Sequence, residues 1–186
     1  MTTFDTHTIE TAPEASRGTM EVAKNKYGFL PNLIAVLAES PAAVEGYVTL
    51  SGILDKSSLG AAERQLLLLT ISAANGCEYC VAAHTLGGRG AGLDEAMIEA
   101  IRNGNPIQDN RLAALNAFAL VLYEKRGWAS DEDVAAFLGA GYTKANVLDV
   151  VLATALKTLS NYANHIADTP LDAAFESARW SKREAD

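Results

Sequence analysis

The two residue types with the sharpest chemistry in this chain, cysteine and histidine, meet at one place. The only cysteines, Cys77 and Cys80, are separated by two residues, and His84 follows four residues after Cys80. A thiol attacks an oxygen–oxygen bond or a disulfide as its thiolate. A neutral imidazole beside it can take the proton, and the exposed N–H groups at a helix start favour negative charge nearby. A second sulfur gives an oxidised first sulfur something to condense with. Oxidation then ends in a recyclable disulfide instead of running on to higher acids. A bridge between Cys77 and Cys80 closes almost no loop, so it adds little stability through chain entropy. In a reducing compartment such a pair is more often catalytic or metal-binding.

If Cys77 starts a helix, Cys80 lies at i+3 and His84 at i+7, all within about 60° of one another on one face. Cys80 and His84 are then i, i+4 neighbours, and direct contact of imidazole and thiol is expected. The helix start favours Cys77 as the attacking sulfur, the imidazole favours Cys80. We take Cys80, because a base in contact does more than a partial charge shared with water. Two blander readings stand beside this one. Cys77, Cys80, His84 and a distant His165 could complete a zinc tetrahedron, or the two thiols could be buried and inert. Tyr79, between the cysteines, reads most simply as a packing residue.

The elements that must hold these residues read as helices throughout. A helix over 13–26 precedes a break at Gly28–Asn32. Ser40-Pro41 caps a helix to about Leu54. Gly60–Asn75 follows, with Glu63 in its first turn, and Asn75-Gly76 delivers the chain to Cys77. The next helix is expected to end near Gly87, in the cluster Gly87–Gly92, and Asp94 caps a short one to about Gly104. Leu112, Leu115, Phe118, Ala119 and Leu122 form one apolar stripe after Asp109. Ser130 opens another helix, and Thr143 caps the last long one, to about Ile166. No useful period-2 alternation is present. The expectation is an all-α bundle of seven or eight helices in a single domain spanning 1–186, with 1–12 and 180–186 flexible and His7 in that head doing nothing.

Composition bounds the rest. The chain has 186 residues, enough for one domain with a real core. Hydrophobic residues at 49% and charged residues at 20% make it globular. The formal net charge of −8 speaks against nucleic acid or anionic membranes as partners. No stretch approaches the ~20 apolar residues of a membrane span. The first sixteen residues contain no Lys or Arg and no apolar segment, so no secretory signal is read and a cytoplasmic protein is expected.

The stretch AERQLLLLTISAANGCEYCVAAHT, residues 62–85, resembles the alkylhydroperoxidase D and carboxymuconolactone decarboxylase family. GFLPN at 28–32, RGWAS at 126–130 and LKTLSNYANHIADTPLD at 156–172 resemble its peroxidase-related branch. The resemblance implies an all-α fold, a homo-oligomer, and a dithiol peroxidase without haem, flavin or metal. It also implies Cys80 as the peroxidatic sulfur, Cys77 as the resolving one, and His84 in a proton relay with a Glu on the preceding helix. The family's spacing of twelve before Cys77 lands instead on Gln65, which can orient a His but cannot take a proton. Glu63 lies about 200° around that helix and cannot simply replace it. Either Gln65 works with water, or Glu63 or Glu78 contributes, or turnover is weak. The position between the cysteines, often His in the family, is Tyr79.

Lys157, Asn161 and His165 fall at i, i+4, i+8 on the last long helix, with Asn164 adjacent, and could line a pocket or a subunit-facing surface. The function expected from all of this is reduction of a small hydroperoxide, with an external dithiol, of lipoyl-like type by the resemblance, restoring the pair. The alternatives are a non-redox decarboxylase or isomerase acting on a lactone acid, and a zinc or stress-binding module without catalysis.

Overall fold

The computed structural model describes residues 4–182. Among them the chain forms nine α-helices and no strand: α1 Glu14–Tyr27, α2 Asn32–Leu37, α3 Pro41–Leu54, α4 Ala61–Asn75, α5 Glu78–Gly90, α6 Glu95–Asn103, α7 Asn110–Glu124, α8 Asp131–Gly139 and α9 Lys144–Ala167, followed by a 3-10 turn at Ala173–Ala178. The all-α expectation holds.

The ends are set locally. Ser40 accepts from the Ala43 amide, with Pro41 at the first helical position. Asp94 and Asp109 accept from Met97 and Leu112. Ser130 pairs reciprocally with Asp133 and Thr143 with Asn146. Gly28, Gly76 and Gly104 stop their helices in the left-handed region that glycine enters without cost.

Two differences from the sequence reading bear on the site. The first is α2, an additional short helix built from LIAVL behind Asn32. All five of these residues are buried, so no polar face gave the segment a period. The second is that α5 runs past Gly87 to Gly90. Gly87 is helical, and its missing side chain makes room for a neighbour: a Cβ there would run into the Gln65 amide oxygen.

The main core gathers α4, α7 and α9 around Leu66, Leu67, Leu69, Leu115, Phe118, Val150 and Leu156. Phe118, Phe137 and Tyr142 stack in sequence, with centroids 4.5 and 4.4 Å apart. A second apolar cluster joins α1, α2 and α3 to the start of α5. It contains Met20, Leu33, Ile34 and Val44 together with Cys77, Tyr79 and Cys80. The head is anchored from His7 onward, contrary to a flexible reading of those residues. His7 pairs with Glu39 at 2.7 Å, and Ala12 is buried. At the other end, Trp180 packs against the main core. The outer parts of the expected flexible ends, 1–3 and 183–186, lie outside the described residues.

One buried carboxylate ties the second cluster together. Asp172 accepts from the Tyr79 hydroxyl and from the Asn32 amide at 3.1 and 3.2 Å. The Tyr79 hydroxyl in turn accepts from the Leu33 amide at 3.2 Å. Asp172 thus holds the first turn of α2 against α5 from 140 residues away. Asp172→Ala leaves the Tyr79 hydroxyl and the Asn32 amide without their acceptor. The expected cost is roughly 2–5 kcal/mol of stability, read as a lower midpoint in urea. Asp172→Asn, which keeps one acceptor, is expected to lose less.

Candidate active site

Cys77 is the N-cap of α5, and both cysteines are free and buried. Gly76, left-handed, turns the chain from α4 into α5 and sets Cys77 at the new helix start. Cys80 then faces α9. Asn164 Nδ2 donates to Cys80 Sγ at 3.2 Å and lies 3.7 Å from Cys77 Sγ. Ser160 Oγ is 3.9 Å from Cys80 Sγ.

His84 is brought into the site, but not against the sulfur. Its Nδ1 bonds Gln65 Oε1 at 3.0 Å, and its Nε2 bonds Lys157 Nζ at 3.0 Å. The expected direct contact of imidazole and Cys80 thiol is not formed. The ring's Nε2 is taken instead by the fully buried Lys157 side chain. With Gln65 accepting, Nδ1 carries the ring proton and Nε2 offers its lone pair to Lys157. Burial and then the Lys157 charge hold His84 well below its ordinary range, so the ring is neutral at neutral pH.

Lys157 forms no ion pair with a carboxylate among the described residues. The charge of Lys157 acts on the Cys80 thiol. Burial by itself would raise the Cys80 thiol. The neighbouring Cys77 thiol, the Lys157 charge and hydrogen bonds from Lys157 and Ser160 outweigh it, and Cys80 ionises well below the ordinary thiol range. Cys77 moves the other way. Its interaction with Cys80, and then burial, hold it as a thiol far above that range. The two sulfurs are thereby given opposite roles by their surroundings.

A cavity of about 410 Å³ opens onto this arrangement. Cys80, His84, Gln65 and Lys157 line it. Its other walls are largely apolar and aromatic, among them Leu33, Ile34, Tyr47, Leu68 and Phe175. Tyr79 also lines it, with its ring edge-on to Phe175 at 5.7 Å and its hydroxyl held by Asp172.

Not every sequence candidate arrives. Glu63 Oε2 accepts from the Gly60 amide at 2.7 Å and Oε1 pairs with Arg111 at 3.0 Å. It stabilises the start of α4 and takes no part in the His84 network. Glu78 is exposed. Asn161 is buried but bonded to Asn75 Nδ2 at 2.9 Å, not to the pair. His165 is exposed on the flank of α9, which separates it from His84 and breaks the zinc tetrahedron sketched from the sequence. Among the described residues no three His, Cys, Asp or Glu side chains gather as a metal site. Missed from the sequence were Ser160 and Tyr47. A signal existed for Ser160: Lys157, Ser160 and Asn164 share a helical face at i, i+3, i+7.

Residues 41–122, which hold α3 to α6 and most of α7, match the profile of the carboxymuconolactone decarboxylase family. That match agrees with the family resemblance read from the sequence. The whole chain has the alkylhydroperoxidase D fold. It superposes on an alkylhydroperoxidase AhpD core structure, an uncharacterized peroxidase-related protein from Ralstonia eutropha, with TM-score 0.81 and 23% identity, covering 92% of this chain and 93% of that one. A peroxidase-related protein from Silicibacter gives TM-score 0.76 at 20% identity, covering 88% and 87%. The debrominase Bmp8, in complex with 2,3,4-tribromopyrrole, gives 0.79 at 16%, covering 96% of each chain. No curated protein sequence matches the chain. No helix among the described residues is long and apolar enough to cross a membrane.

Proposed function

We propose that the chain is a cofactor-free dithiol peroxidase that reduces hydroperoxides. The observation that carries the reading is the asymmetry of the pair. Cys80 lies on the wall of the cavity with Lys157 and His84 and takes a hydrogen bond from Asn164, its surroundings lowering its thiol, whereas Cys77 beside it lies off that wall and is shifted the other way.

In this reading the Cys80 thiolate attacks the distal oxygen of the hydroperoxide. The O–O bond breaks, and the leaving alkoxide takes a proton from Lys157 Nζ, so an alcohol departs and Cys80 becomes a sulfenic acid. Cys77 then attacks the Cys80 sulfur. The thiol proton and the hydroxyl leave together as water, and the disulfide remains. An external dithiol returns two electrons and two protons. His84 stays neutral and holds the Lys157 ammonium in place, and Gln65 fixes the imidazole tautomer. No carboxylate enters the relay, which accounts for glutamine serving at position 65.

The exposed stripe Leu148, Val151, Tyr162 and Ile166 on α9 suits a second copy of the chain, and the mass in solution checks this. To test the activity, the reduced protein is treated with one equivalent of cumene hydroperoxide and its free thiols are counted. Loss of both thiols with release of one cumyl alcohol is expected. Retention of both thiols would reject the reading. Turnover of a lactone acid by a variant lacking both cysteines would favour the non-redox decarboxylase instead.

A further inference from the structure

Tyr47 reaches the cavity from α3, whereas Cys80 and His84 reach it from α5 and Lys157 from α9. Its side chain packs against both apolar clusters, which fixes where the ring stands. The Tyr47 hydroxyl makes no hydrogen bond among the described residues. Nor is it sealed away without a partner, as the Tyr142 hydroxyl is. It therefore opens on the cavity that its residue lines.

The polar groups around it are already engaged. Gln65 and Lys157 are bonded to His84, and the Tyr79 hydroxyl to Asp172. Ser51 also lines the cavity, but it stands one turn along α3 towards Asp55, whose pair with Lys26 is exposed. The Tyr47 phenol lies within electrostatic reach of the sulfurs. Burial first, and then Tyr27, Cys80 and Cys77, hold it far above its ordinary range, so it keeps its proton and can only donate or accept a hydrogen bond as a neutral group.

Attack of a sulfur on the distal oxygen of a hydroperoxide sends an electron pair onto the proximal oxygen. Between largely apolar walls, a charge that develops without a donor is costly. A hydroxyl already fixed there stabilises it without reorganisation.

We propose that Tyr47 is a catalytic residue, whose hydroxyl donates a hydrogen bond to the proximal oxygen of the hydroperoxide and strengthens that bond as the oxygen leaves as alkoxide. The proposal rests on the peroxidase reading. The bond from Cys80 sulfur to the distal oxygen forms as the O–O bond breaks. The proton that completes the alcohol comes from Lys157, and Tyr47 retains its own.

Tyr47→Phe tests this. It keeps the ring and its packing and removes only an unpartnered hydroxyl, so the thermal midpoint is expected to stay level. Loss of free thiols on treatment of the reduced variant with cumene hydroperoxide should be slower by roughly tenfold or more. Alkylation of Cys80 by iodoacetamide should keep its pH profile and stay within about twofold of the wild type, because no alkoxide forms in that reaction.

Peracetic acid supplies the decisive comparison. Its leaving acetate is far less basic than an alkoxide and needs little help, so the variant should lose less than about threefold with it. The same slowing with peracetic acid as with cumene hydroperoxide, or no slowing with either, would overturn the proposal and leave the peroxidase reading standing. A wild-type protein that neither peroxide oxidises would overturn the peroxidase reading itself, and the role of Tyr47 with it.

Discussion

Lys157→Met is expected to lower the rate at which Cys80 reacts with hydroperoxide at neutral pH by about a hundredfold or more, without loosening the fold. Lys157 is fully buried, bonds His84 through its Nζ, and its charge lowers the Cys80 thiol. Removing one partner of a buried ion pair leaves the other charge uncompensated, at a cost of about 3 kcal/mol or more. The sulfur avoids that cost by binding a proton. An energy of this size is about a hundredfold in the ionisation equilibrium, and the attack rate follows the thiolate population. Methionine is close to lysine in length and apolar, so the cavity walls keep their packing, and thermal stability is expected to stay level or rise. The readouts are thiolate absorbance near 240 nm and the pH dependence of alkylation at Cys80. In the wild type the sulfur ionises well below the ordinary thiol range, so the rate should rise with pH below that range and level off before it. In the variant it should climb as pH rises into the ordinary thiol range. An unchanged profile would remove Lys157 from the ionisation of Cys80 and leave the mechanism without its proton donor.

The sequence carried the parts of this site that are encoded locally. Cys77, Cys80 and His84 span about two turns at the start of a single helix, so their common face followed from spacing alone. Gln65 came from the spacing of the family that the sequence resembles, and the structure bonds it to His84. Glu63 is a nearby carboxylate of the right chemistry, but its helix turns it away to cap its own start. What the sequence could not show is which turn of α9 crosses α5. Stepping by four from Lys157 leads to His165, about 80° around the helix from the lysine, at the surface. The face that meets the sulfurs runs through Lys157, Ser160 and Asn164. The contact of Lys157 with His84 is a fact of tertiary packing, and it takes the place of the direct imidazole–thiol contact expected from i, i+4 spacing. The helix ends at Ser40, Asp94, Asp109, Ser130 and Thr143 were legible because caps act over three residues. The start of α2 was not, because its amide is satisfied by Asp172 from the far end of the chain.

The two cysteine variants are expected to fail in different ways, and the difference tests the assignment of roles. Cys80→Ser should consume no hydroperoxide. The remaining sulfur, Cys77, does not line the cavity with Lys157, and burial at the start of α5 still raises its thiol. Cys77→Ser should consume one equivalent per chain without turning over. The serine hydroxyl can still donate a hydrogen bond to Cys80, and Lys157, Ser160 and Asn164 remain in place, so the first attack survives. With no sulfur to condense with, Cys80 stays a sulfenic acid in a largely dry site, where dimedone should trap it and excess peroxide should drive it on to sulfinic acid. Mass spectrometry distinguishes these products by one and two added oxygens. A Cys80→Ser protein that still formed a trappable sulfenic acid at Cys77 would exchange the two roles. It would also show that the electrostatic asymmetry around the pair does not decide which sulfur attacks.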